Sequence, residues 1–157
     1  MTTTTIEPIR KQIAVAASQA TAFETFTARM GTWWNPEYTI GSEPIADVVV
    51  EPRTGGRWYE RGAGGAECDW GTVLAWEPDE RIVLDWQITA DWTHEPSLHT
   101  ELEVRFLDSG PGSTRVELEH RGLDAFGEQA SMVRGIFDSP GGWAGLLDLY
   151  SAAAAES

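Results

Sequence analysis

Between residues 45 and 121 apolar and polar side chains alternate with a period of two, interrupted by glycine, proline and acidic turns. Such alternation marks strands with one buried face. It predicts strands over 48–51, 57–61, 68–76, 81–89, 99–106 and 113–121. Turns are expected at 54–56, 62–65, 77–80 and 108–112, with a longer loop over 91–98. Ahead of them, Ile9, Ile13 and Val15 predict a first strand within 6–15. The short connections favour antiparallel neighbours in a meander. Val116, Leu118 and His120 share one face, with Arg115, Glu117 and Glu119 on the other. Leu102, Val104 and Phe106 likewise oppose Glu101, Glu103 and Arg105, and Ile82, Leu84 and Trp86 oppose Val83, Asp85 and Gln87. The run 68–76 is less regular. Trp70, Thr72, Leu74 and Trp76 are expected to face inward, yet Val73 is apolar too, and Gly71 marks a candidate bulge that changes the parity.

On either side of the strands the spacing is helical. Ser18 is an expected N-cap, and Ala22, Phe23 and Phe26 predict a short amphipathic helix ending near Met30. Gly31 stops it, and Thr32 to Pro36 reads as a second brief helical turn. A lead-in helix is expected over 128–136. Ser139 followed by Pro140 has the form of an N-cap and first helical position. Trp143, Leu146, Leu147 and Tyr150 then fall at i, i+3, i+4 and i+7, one face of a terminal helix. Residues 1–5 are expected to be a frayed, disordered start. A sheet with one apolar face must bury it, and the terminal helix is the expected cover.

Composition narrows what this single domain can do. Eleven Lys and Arg stand against 25 Asp and Glu, a formal net charge of −14. That surface repels phosphate backbones and anionic lipids, so neither nucleic acid nor membrane is an expected partner. The start lacks a basic region followed by an apolar stretch, and no run reaches the length of a membrane span. A cytoplasmic location is expected. Cys68 is the single cysteine, which excludes an internal disulfide and a cysteine-based metal cluster. There are eight tryptophans in 157 residues. Each wants a mostly dry wall with one polar edge. They serve either a lined cavity or a tryptophan-rich core.

The remaining candidates carry little chemistry. His120 ends an inward register, where it is either a hydrogen-bonded core residue or an acid–base group. The glycine-rich segments 55–56 and 62–65 lack the Gly-Lys-Ser/Thr of a phosphate loop, and no cofactor is expected. Asp91, His94, Glu95 and His99 have no ligand spacing, so no metal is expected. Cys68 shows no sign of activation, and there is no Gly-x-Ser-x-Gly signature. No catalytic residue is assigned.

One ordered set of motifs spans nearly the whole chain. It comprises Phe23-x-x-Phe26-Thr27, Trp33-Trp34-x-Pro36, and Glu51-Pro-Arg-x-Gly55-Gly-Arg57-Trp-Tyr59. It continues with Gly71-x-Val73 and Pro78, Arg81-Ile-Val-Leu84-x-Trp86, Thr114-x-Val116-x-Leu118-x-His120, and Gly142-Trp143. In these the chain resembles the activator-of-heat-shock-protein-90-ATPase-like branch of the SRPBCC (START-like, helix-grip) superfamily. The resemblance implies an α+β helix-grip fold: a curved antiparallel sheet of six to seven strands around a long C-terminal helix, with two short helices after the first strand. It also implies a cavity between sheet and helix that holds a small hydrophobic or aromatic molecule. Trp58, Trp70, Trp86, Phe106 and His120 would line it from the sheet. Phe137, Trp143, Leu146 and Tyr150 would line it from the helical side. Two other readings stay open, an enzyme of cyclase, hydrolase or isomerase type in the same cavity, and a co-chaperone-like interaction module. A homodimer also stays open.

Overall fold

Seven strands form one antiparallel sheet in the computed structural model, which describes residues 6–156. They are β1 Ile9–Val15, β2 Ile45–Val50, β3 Arg57–Gly62, β4 Glu67–Glu77, β5 Arg81–Trp86, β6 Thr100–Asp108 and β7 Thr114–Arg121. Their spatial order is β1-β7-β6-β5-β4-β3-β2, a six-strand meander closed by the first strand along its last. The sheet is curled into a half-barrel around the C-terminal helix. The expected frayed start at 1–5 lies outside the described residues.

The period-two faces set the register. His120 pairs with Leu102 on one side and Ile9 on the other. Val116, Leu118, His120, Leu102, Val104, Phe106, Ile82, Leu84 and Trp86 are all buried. A slip by one residue would expose that whole set, so the pairing is strongly specified. The outer face is less open than alternation suggests, since Val83, Asp85, Gln87 and Glu103 are buried too. Charged neighbours cover it. Arg81, Arg105 and Arg121 converge on Glu103, and their contacts reach Glu77, Glu101 and Glu119. Burial alone would raise the Glu103 carboxyl, but the hydrogen bonds from Arg81, Arg121 and Arg105 outweigh it and hold it at about 2.

Strand β4 departs from the expected faces. Trp70, Val73 and the partly buried Trp76 join the core, whereas Leu74 is exposed and Thr72 turns outward with its partners Arg57 and Asp85. Two register shifts explain this: one extra residue at Trp70 against β3, and one at Leu74 against β5. Each bulge flips the parity of the residues beyond it. Gly71 sits between them, where a Cβ would lie 1.6 Å from the Asp85 carbonyl oxygen. No residue but glycine fits there.

The helices are α1 Gln19–Thr27, α2 Met30–Trp33, α3 Ala130–Phe137 and α4 Trp143–Ala155, with a 3-10 stretch Leu123–Gln129 before α3. Ser18 caps α1 as expected, its hydroxyl accepting from the Thr21 N–H at 3.2 Å. Ser139-Pro140 does not start the last helix, contrary to its sequence form. Pro140 instead occupies a turn closed by the Gly142 N–H on the Ser139 carbonyl at 2.8 Å, and the Ser139 hydroxyl turns back to the Ile136 carbonyl. Proline's fixed φ serves such a turn as well as it serves a first helical position. The helix therefore begins at Trp143, with Gly142 at its cap. Tyr150 anchors its middle: the hydroxyl donates to the Ala22 carbonyl at 2.8 Å, and the ring meets Phe26 and Trp33.

Candidate ligand-binding site

The start of α4 lies against β5 and β7. Trp143 donates its indole N–H to His120 Nδ1 at 3.2 Å and meets Trp86 edge-on at 5.7 Å between centroids. Phe137, at the end of α3, packs edge-on against Trp86 and stacks on the His120 ring. These aromatics form the back of a pocket of about 240 Å³. Trp34 and Leu146 close its sides, and the Ser139 to Gly142 turn forms one edge. Gly142 must be glycine, because a Cβ there would lie 2.1 Å from the Phe137 carbonyl oxygen. Across the mouth, Tyr38 and Trp92 stack at 6.0 Å with planes 23° apart. The Tyr38 hydroxyl donates to the Gly141 carbonyl and fastens this rim to the turn.

Of the nine residues expected to line a cavity, Trp86, Phe137, Trp143 and Leu146 line this pocket. Trp58, Trp70, Phe106, His120 and Tyr150 lie behind it in the fully buried interior. Their polar atoms are satisfied there. Trp58 Nε1 points at the Met30 sulfur, and Trp70 Nε1 donates to Glu60 at 3.0 Å. Glu60 is itself buried and also accepts from Thr39 and the Ile40 N–H, a support for the 39–41 loop that the sequence did not single out.

His120 has a fixed tautomer. Its Nδ1 accepts from Trp143, so Nε2 carries the proton and donates to Thr100 Oγ1 at 2.9 Å. The Thr100 hydroxyl in turn donates to the Trp86 carbonyl at 3.0 Å. Complete burial drives the imidazole pKa down from its ordinary 6.5 to about 3. A neutral ring with both nitrogens occupied holds the pocket's back wall in place and has no proton to exchange with a ligand near neutral pH.

The pocket therefore offers shape, aromatic faces and a few hydroxyl and backbone groups. Its remaining members, Trp34, Tyr38, Trp92, Ile136, Ser139 and Gly141, come from loops and helix ends where no periodicity points inward. The loop histidines meet one hydrogen-bonded pair, Asp85 on β5 and Gln87 just after it: His94 on Gln87 and His99 on Asp85, with Gln87 donating to Asp85, while Glu95 turns to Ser97. Among the described residues no three His, Cys, Asp or Glu side chains converge as metal ligands would. No helix is long and apolar enough to cross a membrane.

A sequence model of the family described as activator of Hsp90 ATPase homolog 1-like protein matches residues 16–148. The chain belongs to that family. Solved structures agree with the assignment. The chain is 36% identical to Txn09, an anthrahydroquino-gamma-pyrone synthase, over 95% of this chain and 97% of the other, with a TM-score of 0.66. It is 28% identical to CalC, a self-sacrificing resistance protein from Micromonospora echinospora, over 95% and 94%, with a TM-score of 0.70. The Aha1 dimer from Colwellia psychrerythraea shares the fold at 16% identity, 96% and 97% coverage and a TM-score of 0.62. No curated protein matches the chain.

Proposed function

We propose that this protein binds a small, flat, mainly apolar molecule, aromatic for preference, in the pocket between Trp86 of β5 and the start of α4. The observation that carries this reading is the pocket wall itself, built from Trp34, Trp86, Phe137 and Trp143 and rimmed by stacked Tyr38 and Trp92. Small-molecule sites are concave and mostly apolar, with few orienting polar groups. At about 240 Å³ the space suits two or three fused rings. Burial supplies the affinity, at roughly 25 cal/mol per Å² of apolar surface before ordering costs. The Tyr38 and Ser139 hydroxyl oxygens, their protons given to the Gly141 and Ile136 carbonyls, supply orientation as hydrogen-bond acceptors. The similarity to an anthrahydroquino-gamma-pyrone synthase supports an aromatic ligand. We further propose a cytoplasmic location, with which the free, half-buried Cys68 is compatible.

That same similarity favours a second reading, an enzyme of the cyclase type in the same pocket. Catalysis here would rest on holding a flexible substrate in a ring-forming conformation, since positioning alone lowers barriers. His120 would not be its acid–base group.

Titration with a panel of flat aromatics and medium-chain lipids tests the binding reading. Saturable changes in tryptophan emission are expected with the aromatics. Leu146→Trp should fill part of the pocket and weaken them about tenfold, while costing about 1–3 kcal/mol of stability. No saturable response to any member would overturn the proposal. Conversion of a bound compound, followed by mass spectrometry, would favour the enzyme over the carrier.

A further inference from the structure

Trp92 lines two cavities at once. One is the main pocket, where its ring stacks on Tyr38; the other is a void of about 30 Å³ behind it, walled by Ile88, Ala90 and Val133. The second space has about the room of one water molecule. Ile136 and Phe137 border both cavities as well, so these three side chains together form the wall between them, and Trp92 is the one that comes from the loop.

The backbone at Trp92 is unusual. Its φ is +60°, a left-handed conformation that bulky side chains rarely adopt and glycine adopts freely. Asp79 is the only other non-glycine residue with positive φ among the described residues. The loop is built to hold this geometry. The Thr89 N–H donates to the Thr93 carbonyl at 2.8 Å, the two threonine hydroxyls meet at 2.8 Å, and the Trp92 N–H donates to the Thr89 carbonyl at 3.0 Å. Core packing does not account for an indole here, because the side chain remains 37% exposed. The strained backbone delivers a large ring to the boundary between the two cavities.

We propose that Trp92 is a partition that sets the length of ligand the pocket accepts, and that its removal would join the small space behind it to the site and admit an alkyl substituent. This rests on the binding reading above. With the indole in place, the long axis of a flat ligand ends against Trp92. Without it, the pocket runs on along Ile88, Ala90 and Val133, all apolar.

The test compares 2-methylanthraquinone with 2-pentylanthraquinone, using quenching of the remaining tryptophans to obtain dissociation constants. The wild type is expected to favour the methyl compound. Trp92→Gly also relieves the positive φ, so the fold is retained, and it should shift the preference toward the pentyl compound by about tenfold. Trp92→Ala should shift it in the same direction, and Trp92→Phe should stay near the wild type. An unchanged preference in Trp92→Gly, with 2-methylanthraquinone still bound, would overturn the partition and leave the binding reading intact. Wild-type affinity for the pentyl compound equal to that for the methyl compound would also overturn it. Failure of every variant and the wild type to bind either compound would defeat the binding reading, and the partition with it.

Discussion

His120 holds one proton in a fixed relay from the Trp143 indole to the Trp86 carbonyl, and its energetic weight comes from that relay. His120→Ala would leave the Trp143 N–H and the Thr100 hydroxyl short of partners and open a small void, costing about 1–3 kcal/mol. His120→Gln can accept from Trp143 and donate to Thr100, so it should keep most of the stability. The pH dependence separates this role from simple packing. The folded imidazole titrates at about 3 and the unfolded one at its ordinary 6.5. The unfolded state therefore binds the extra proton in that window, and stability falls as pH drops through it. Between pH 7 and pH 5, where few carboxylates titrate, the loss should be about 2 kcal/mol. Denaturant unfolding at both pH values measures it, and His120→Gln should flatten it. A wild-type stability constant from pH 7 to pH 5 would contradict the buried neutral ring. The inward placement of His120 is legible in its period-two neighbours. Its partners are not, because Thr100 and Trp143 lie 20 and 23 residues away in sequence. Trp92 is illegible for a different reason: nothing in a polar loop announces that one bulky residue will take a left-handed backbone.

Among the elements, strands with clean alternation are readable and the bulged one is not. β5, β6 and β7 bury the faces that their sequences predict, and the i, i+3, i+4, i+7 face of α4 is buried as expected. In β4 a glycine marks a bulge, but the displaced residues on either side, Trp70 and Leu74, depend on pairing with β3 and β5. The start of α4 differs from expectation because Ser-Pro fits a helix entry and a turn equally well. Both irregularities serve the pocket. The β4 bulge seats Trp70 against Trp34, at 4.8 Å between centroids, and the 139–142 turn forms the pocket edge. Gly71→Ala should accordingly cost about 3 kcal/mol or more, since a methyl group cannot share space with the Asp85 carbonyl without moving β5. Thermal or denaturant unfolding reads this directly. A near-neutral result would mean that β4 and β5 can separate there.

Across the whole molecule, the two sides of the sheet have different work. The outer face is a cross-strand lattice of Arg and Glu around Glu103, which keeps an acidic surface ordered and gives an apolar ligand little to hold. The inner face supplies the core, and where α3, α4 and the two aromatic loops meet packing stops short of filling the space. Six of the eight tryptophans are buried, so the aromatic richness serves core and pocket together. On the proposed binding function, ligands enter at that junction and nowhere deeper. Indole N–H resonances resolve it residue by residue in a protein titrated with 2-methylanthraquinone. Trp34, Trp86, Trp92 and Trp143 should shift saturably with one dissociation constant, while Trp33 and Trp76, which point away from the pocket, should hold still. Uniform small shifts, or shifts confined to tryptophans outside those four, would contradict the account.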